Sequence, residues 1–176
     1  PTIGGDPELF LQNKHGRIIG SELVIPEAGL FPVGAYPSKI VRDGVQVELQ
    51  LPAGYSCRAN LGNAIGHMVA KVNEAATKQG FSICMKPVIR MRKKEFLPLS
   101  ETSKQLGCMP SFNIYDKRAR VPVNGGTYMT RSAGGHIHIG IDKKDLTTLG
   151  MDEVGLDQMN RKIHLSSMEK FARGPV

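Results

Sequence analysis

The cleanest periodicity in the chain runs from Val45 to Leu51. Val45, Val47, Leu49 and Leu51 alternate with Gln46, Glu48 and Gln50, so an extended backbone puts the aliphatic side chains on one face and the polar ones on the other. This spacing predicts a sheet strand with one packed and one polar face. Residues 5–11 and Arg17 to Ile19 predict two short strands around the turn Asn13-Lys14-His15-Gly16. A loop rich in Pro and Gly is expected from Pro26 to Pro37.

The one long helical pattern covers Asn60 to Gln79. Leu61, Ile65, Met68, Val69, Val72 and Ala76 recur at helical spacing, with Gly80 as the stop. His67 lies beside this stripe and reads as a structural histidine. A strand resumes from Phe81 to Met91, demoted to an edge or a bulge by Pro87. Residues 107–135 are punctuated by Pro, Gly and Asn and predict an ordered loop or short hairpins. His136 to Ile141 alternates again as a strand, and a shorter helix is expected from Leu156 to Ala172. Together these elements predict an α+β fold, an antiparallel sheet with helices packed on one face. The whole chain, residues 1–176, reads as a single domain.

Charge changes this picture in one place. The net charge is +7, but residues 51–135 alone hold thirteen basic and four acidic side chains. The densest cluster is Lys86, Arg90, Arg92, Lys93 and Lys94, followed by Lys117, Arg118 and Arg120. Such a stripe suits an acidic partner, a polyphosphate or nucleic acid, or is simply a solvated face. Aromatics are sparse and Trp is absent, which ranks nucleic acid below the other readings. The apolar runs are too short for a membrane span, and the first residues lack the pattern of a signal peptide. Three cysteines without CxxC spacing, Cys57, Cys84 and Cys108, argue for a reducing cytoplasm rather than a disulfide framework.

Three predicted strands carry metal-competent groups on one face each. Asp6 and Glu8 are two residues apart, so both carboxylates point the same way. Glu48 stands on the polar face of its strand. In Gly134-Gly135-His136-Ile137-His138-Ile139 the imidazoles share one face, with Ile137, Ile139 and Ile141 expected to pack behind. Carboxylates with one or two histidines suit magnesium or manganese. The glycines before His136 allow close approach of a phosphate or a substrate. Zinc is disfavoured because the cysteines do not cluster with the histidines, and a Cys108–His136 pair lacks an orienting third group. No Walker or dinucleotide Gly-rich signature follows a strand. Taken singly, each group also reads as an ordinary turn or an exposed polar position.

Four blocks carry a family resemblance. They are Gly4-Gly5-Asp6-Pro7-Glu8-Leu9-Phe10-Leu11, the stretch Asp43 to Ala53 with its Glu48 and terminal Pro-Ala, Leu106-Gly107-Cys108-Met109-Pro110-Ser111-Phe112-Asn113, and Arg131-Ser132-Ala133-Gly134-Gly135-His136-Ile137-His138-Ile139-Gly140. In this order they resemble the phage carboxylate–amine ligases of type 2, a family related to glutamine synthetase and glutamate–cysteine ligase. The resemblance implies an antiparallel sheet whose polar face holds ATP and two divalent ions, Mg or Mn. It implies phosphorylation of a small-molecule or peptide carboxylate by ATP, then attack of an amine to form an amide. Asp6, Glu8, Glu48 and His136 would be metal ligands, and Glu48 would serve catalysis as well. His138 would contact phosphate or substrate, Gly134 and Gly135 would flank the nucleotide, and Arg131 would contact an anion.

Two features depart from the pattern. Met109 and Ser111 stand where the family carries aspartates. Only 36 residues follow Gly140, and they contain no Glu-x-Arg strand of the kind with which these ligases close the site. The expectation is therefore a ligase in the host cytoplasm. Either the chain is part of a longer ligase, or the alternative holds: a non-catalytic structural protein of the virion on the same scaffold, shortened at the C-terminus, that pairs with itself or a capsid-type partner.

Overall fold

The computed structural model describes residues 2–32, 38–106 and 124–140, together with Thr148 and Gly150. The helix expected at 156–172, the block around Cys108, Met109 and Ser111, and the cations Lys117, Arg118 and Arg120 lie outside the described residues.

The strand expected over residues 5–11 is found as β2 (Glu8–Asn13), and a further strand, β1 (Thr2–Gly5), precedes it, the two parted at Asp6-Pro7. Pro7 has no amide hydrogen to give to a ladder, which is why the pairing breaks there. After β3 (Ile18–Ile19) and a single 3-10 turn (Ser21–Leu23), β4 (Lys39–Asp43) and β5 (Gln46–Tyr55) form a hairpin. Its two-residue loop, Gly44-Val45, needs a positive φ at its first position, and Gly44 supplies it at 58°. Helix α1 (Arg58–Thr77) follows, two residues earlier at each end than the periodicity predicts, with Gly80 at φ 75° behind it. Then come β6 (Phe81–Cys84), β7 (Val88–Arg90), the single-turn helices α2 (Lys93–Phe96) and α3 (Glu101–Lys104), β8 (Thr130–Ser132) and β9 (Ile137–Gly140).

Every strand pair is antiparallel. One edge of β5 carries β4, and the other carries β2 and β1 in succession. Beyond them β1 pairs with β9, while β2 pairs with β6 and β3. The predicted strand from Phe81 to Met91 is thus two strands in two sheets, because β7 leaves to pair with β8. Pro87 sits between them, and its carbonyl accepts the Ala133 amide at 2.7 Å.

The sheet is packed on both faces, which corrects the expectation of helices on one face alone. On one side Met68, Val72 and Ala76 of α1 bury Leu9, Leu11, Val47, Leu49 and Leu51. On the other, Phe10, Val45 and Cys84 join Ile89, Met91 and Phe96 beneath the β7–β8 pair and α2. Strand alternation explains the division: Leu9 and Leu11 point to α1, and Phe10 between them points away. Helix α1 packs across β5 and β6 and reaches β1 only at its margin. The consequence falls on β9, whose Ile137 and Ile139 are 75% and 74% exposed instead of packed behind the histidines. His67 is exposed on α1 and takes no part in the core. No described helix is long and apolar enough to cross a membrane.

Phe10 is fully buried, so Phe10→Ala is expected to cost about 3–5 kcal/mol in urea unfolding. Leu97→Ala, at a side chain 56% exposed, should change stability by no more than about 0.5 kcal/mol.

Candidate functional site

The antiparallel register gathers the acidic side chains. Glu8 stands directly opposite Glu48, and paired residues of neighbouring strands share a face. On the far edge of β5, Asp43 faces Gln46, Val41 faces Glu48 and Lys39 faces Gln50. The face opposite α1 therefore carries Glu8, Asp43, Glu48, Gln46, Gln50 and Lys39 together. Register with β1 adds the histidines: His138 pairs with Gly4, and the Asp6 amide donates to the His136 carbonyl at 3.2 Å. Asp6, His136 and His138 lie on this face too.

Asp6 is the best-held member. Its carboxylate accepts the backbone amide of His136, and its oxygens lie 3.2 and 3.3 Å from His136 Nδ1 and 3.3 Å from His138 Nε2. Burial pushes its pKa up, but the His136 amide, the His138 hydrogen bond and the two imidazoles outweigh it and hold the carboxyl below its ordinary value. Glu8 is aimed by two donors, Gln46 Nε2 and the Gly134 amide, both 2.9 Å from Oε2. Gln46 is itself buried, and the same nitrogen donates to the Ser132 carbonyl at 2.7 Å, tying β5, β2 and β8 together.

Glu48 and Asp43 are the strained members. Burial first, then the charges of Asp43 and Asp6 and, least of all, that of Glu8, push the Glu48 carboxyl above its ordinary value; a weaker hydrogen bond from Gln50, at 3.4 Å, opposes them. Asp43 is raised by burial, then by the charge of Glu8 and a hydrogen bond with it. Four carboxylates thus face one ammonium, Lys39, whose Nζ also lies 5.5 Å from the centre of the Phe31 ring. A cleft of about 330 Å³ opens here, lined by Asp6, Glu48, His138, Lys39, Gln50, Gly5, Leu51 and Pro52.

The structure brings together Asp6, Glu48 and His138 at the cleft, with Glu8 and His136 beside it. Among the described residues, however, no three His, Cys, Asp or Glu side chains are closed into a set that would hold a metal ion. The donor chemistry still suits a hard cation: oxygen ligands, mutual repulsion that a divalent charge would relieve, and no thiolate among them.

Arg131 is placed elsewhere. It is buried at 3% exposure, stacked 5.2 Å from the Phe96 ring. Its terminal nitrogens donate to the carbonyls of Lys104, Gly125, Tyr128 and Thr130, and its Nε is buried without a partner. This is a guanidinium that ties loops to the second core, and its terminal nitrogens are already committed, which corrects the expectation that it contacts an anion. The two glycines also have work of their own. The Gly134 amide holds Glu8, and Gly135, at φ 152°, lets the backbone close on Pro7, where an added Cβ would meet Pro7 Cα at 2.8 Å.

Sequence reasoning missed Asp43, Lys39 and the orienting role of Gln46. The signal was the Asp43-Gly44 pair, a hairpin turn that sets Asp43 opposite Gln46 and so on the acidic face. No protein-family model matches the chain, and no solved structure matches it.

Because the folded pKa of Glu48 is raised, ionisation of Glu48 opposes folding, and stability falls as pH rises from its ordinary value of 4.5 through the raised one. In metal-free buffer, Glu48→Gln should therefore melt a few degrees higher than the parent at pH 7, with the gain gone by about pH 4. Gly135→Ala should cost about 1–3 kcal/mol by urea unfolding, since no L side chain is at ease at that φ.

Proposed function

We propose that this chain is an ATP-dependent carboxylate–amine ligase on a glutamine-synthetase-like scaffold. The observation that carries the reading is the gathering of Asp6, Glu8, Asp43 and Glu48 beside His136 and His138 on one polar sheet face. The family resemblance assigned all but Asp43 of these residues to a metal–phosphate centre, and strand register puts them on one side of one sheet.

In this reading Glu8, Glu48 and Asp6 would hold magnesium or manganese, with His136 as the nitrogen ligand and Asp43 hydrogen-bonded to Glu8. Bound with ATP, the ions would neutralise the charge that develops as a phosphoryl group passes to a substrate carboxylate, before an amine displaces it. The chain's own part is positioning. Gln46 and the Gly134 amide fix the direction of Glu8. Asp6 anchors both imidazoles, so His138 presents its ring at the cleft where phosphate or substrate would lie. Lys39, in the lining of the same cleft, is the ammonium available to an anionic substrate group. Small-molecule or peptide carboxylates and amines are the substrate class, and the host cytoplasm is where ATP and such substrates meet.

A second reading has one observation in its favour. The arginine that the resemblance assigns to an anion is a buried structural residue, so among the described residues only Lys39 and His138 are offered to a phosphate at the cleft. A virion protein that kept the scaffold without catalysis would have this property.

ADP release with magnesium, ATP and a panel of amino acids and peptides separates the two. The ligase reading expects amine-dependent ADP formation that falls about a hundredfold or more in Glu48→Ala, and a magnesium-dependent rise in melting temperature with ATP. Turnover no greater than that of Glu48→Ala, with no magnesium-dependent shift and self-assembly on sedimentation, would establish the structural reading instead.

A further inference from the structure

The basic stretch that the ligase reading leaves unused folds into a cleft of its own. Its volume is about 370 Å³, and its lining shares no residue with the acidic cleft. Arg17 and His15 come from the turn between β2 and β3, Lys86 and Arg90 from the β6–β7 segment, and Arg92 from the entry to α2. Two stretches distant in sequence, residues 15–18 and 84–95, therefore converge their cationic side chains on one cavity.

The turn that presents His15 and Arg17 is built rather than loose. Asn13 Oδ1 accepts both of their amides, at 3.0 and 3.1 Å, and the Asn13 amide donates to the Arg17 carbonyl at 2.9 Å. The single carboxylate in the lining is Glu95, and it is already engaged. Arg92 Nε donates to it at 2.8 Å, and Arg17 Nε lies 3.8 Å away. Lys86 and Arg90 are exposed and have no carboxylate partner among the described residues. Arg17, Lys86, Arg90 and Arg92 against Glu95 leave an excess of three positive charges around one small cavity, before His15 is counted. Cations gathered around one cavity attract a multiply charged anion to it.

We infer that this cleft binds a small anion bearing two or more phosphate groups. Its size is that of a small-ligand site, and its guanidinium groups match phosphate oxygens in geometry as well as charge. Ile18, Cys84, Val88 and Ile89 give it an apolar floor. No Phe, Tyr or Trp lines it, so it lacks the stacking surfaces on which single-stranded nucleic acids lie. The site needs no metal and does not depend on the ligase reading.

Calorimetric titration with tripolyphosphate, in EDTA so that the acidic cleft plays no part, tests this. Saturable binding is expected, weakened about tenfold or more in Lys86→Ala/Arg90→Ala and falling between about 50 and 200 mM salt. Lys93→Ala/Lys94→Ala, which removes two exposed cations outside the lining, should stay within about twofold of the parent. Absence of binding would overturn the inference. So would equal weakening by the two double variants, which would mean diffuse attraction to the whole basic stretch. A single-stranded oligonucleotide that binds and is not displaced by tripolyphosphate would overturn it too, in favour of a nucleic-acid surface.

Discussion

Pro7 brings no amide hydrogen to the strand that runs from Thr2 to Asn13, and much of the molecule is arranged around the gap. The chain bends there, β1 turns to β9 and β2 to β6 while both keep β5, and residues 134–136 lie along the bend ahead of the regular β9 ladder. Asp6 donates to the His136 carbonyl on one side of Pro7 and Glu8 donates to the Gly134 carbonyl, at 3.0 Å, on the other. The Leu49 amide reaches the Pro7 carbonyl, also at 3.0 Å, so β5 holds the same bend from its own side. Gly5 and Gly135 lack side chains where these backbones approach, and a Cβ on Gly5 would come within 2.8 Å of the His136 carbonyl oxygen. An unbroken strand would carry Asp6 past the histidines. The break is what puts a carboxylate between them.

The same bend explains the uneven electrostatics of the acidic face. Asp6 receives donors from the strand laid against it and is comfortable as an anion. Glu48 and Asp43, on the β4–β5 hairpin, are raised first by burial and then by the charges of their neighbours. Stabilised and destabilised carboxylates thus occur side by side on one rigid sheet. An arrangement that folding alone would avoid is tolerated where a cation can complete it.

What could be read from the sequence follows from how local each signal is. The period of two in Val45 to Leu51 and the period of 3.6 in Leu61 to Ala76 are properties of a single segment, and both elements form within a few residues of their expected limits. Val45, however, falls in the hairpin turn and packs in the second cluster, away from Val47, Leu49 and Leu51. The Asp6/Glu8 and His136/His138 pairs were legible for the same reason, as two-residue spacings on extended chain. Asp43 was not, because its place on the acidic face is a property of hairpin register. Gln46 read as one more solvated polar position, yet it is buried because a single amide nitrogen bridges two other strands. Arg131 shows the limit of resemblance: a motif carries the residue type, but burial against Phe96 and four carbonyls decides its work. Ile137 and Ile139 have the alternation of packed positions, but β9 lies at the sheet margin, where α1 does not cover it.

Strand β2 is the common wall of both hydrophobic clusters, with Leu9 and Leu11 in one and Phe10 in the other. Neither side of the sheet can open without exposing a face of the same few residues. Local opening of α1, or of the β7–β8 pair, is therefore coupled through β2 to the rest of the molecule, and the amides at its centre belong to the last cooperative unit to exchange with solvent. Glu8 begins that strand. The candidate site is thus hung at one end on a strand buried from both sides, and bordered at the other by a strand whose isoleucines are exposed.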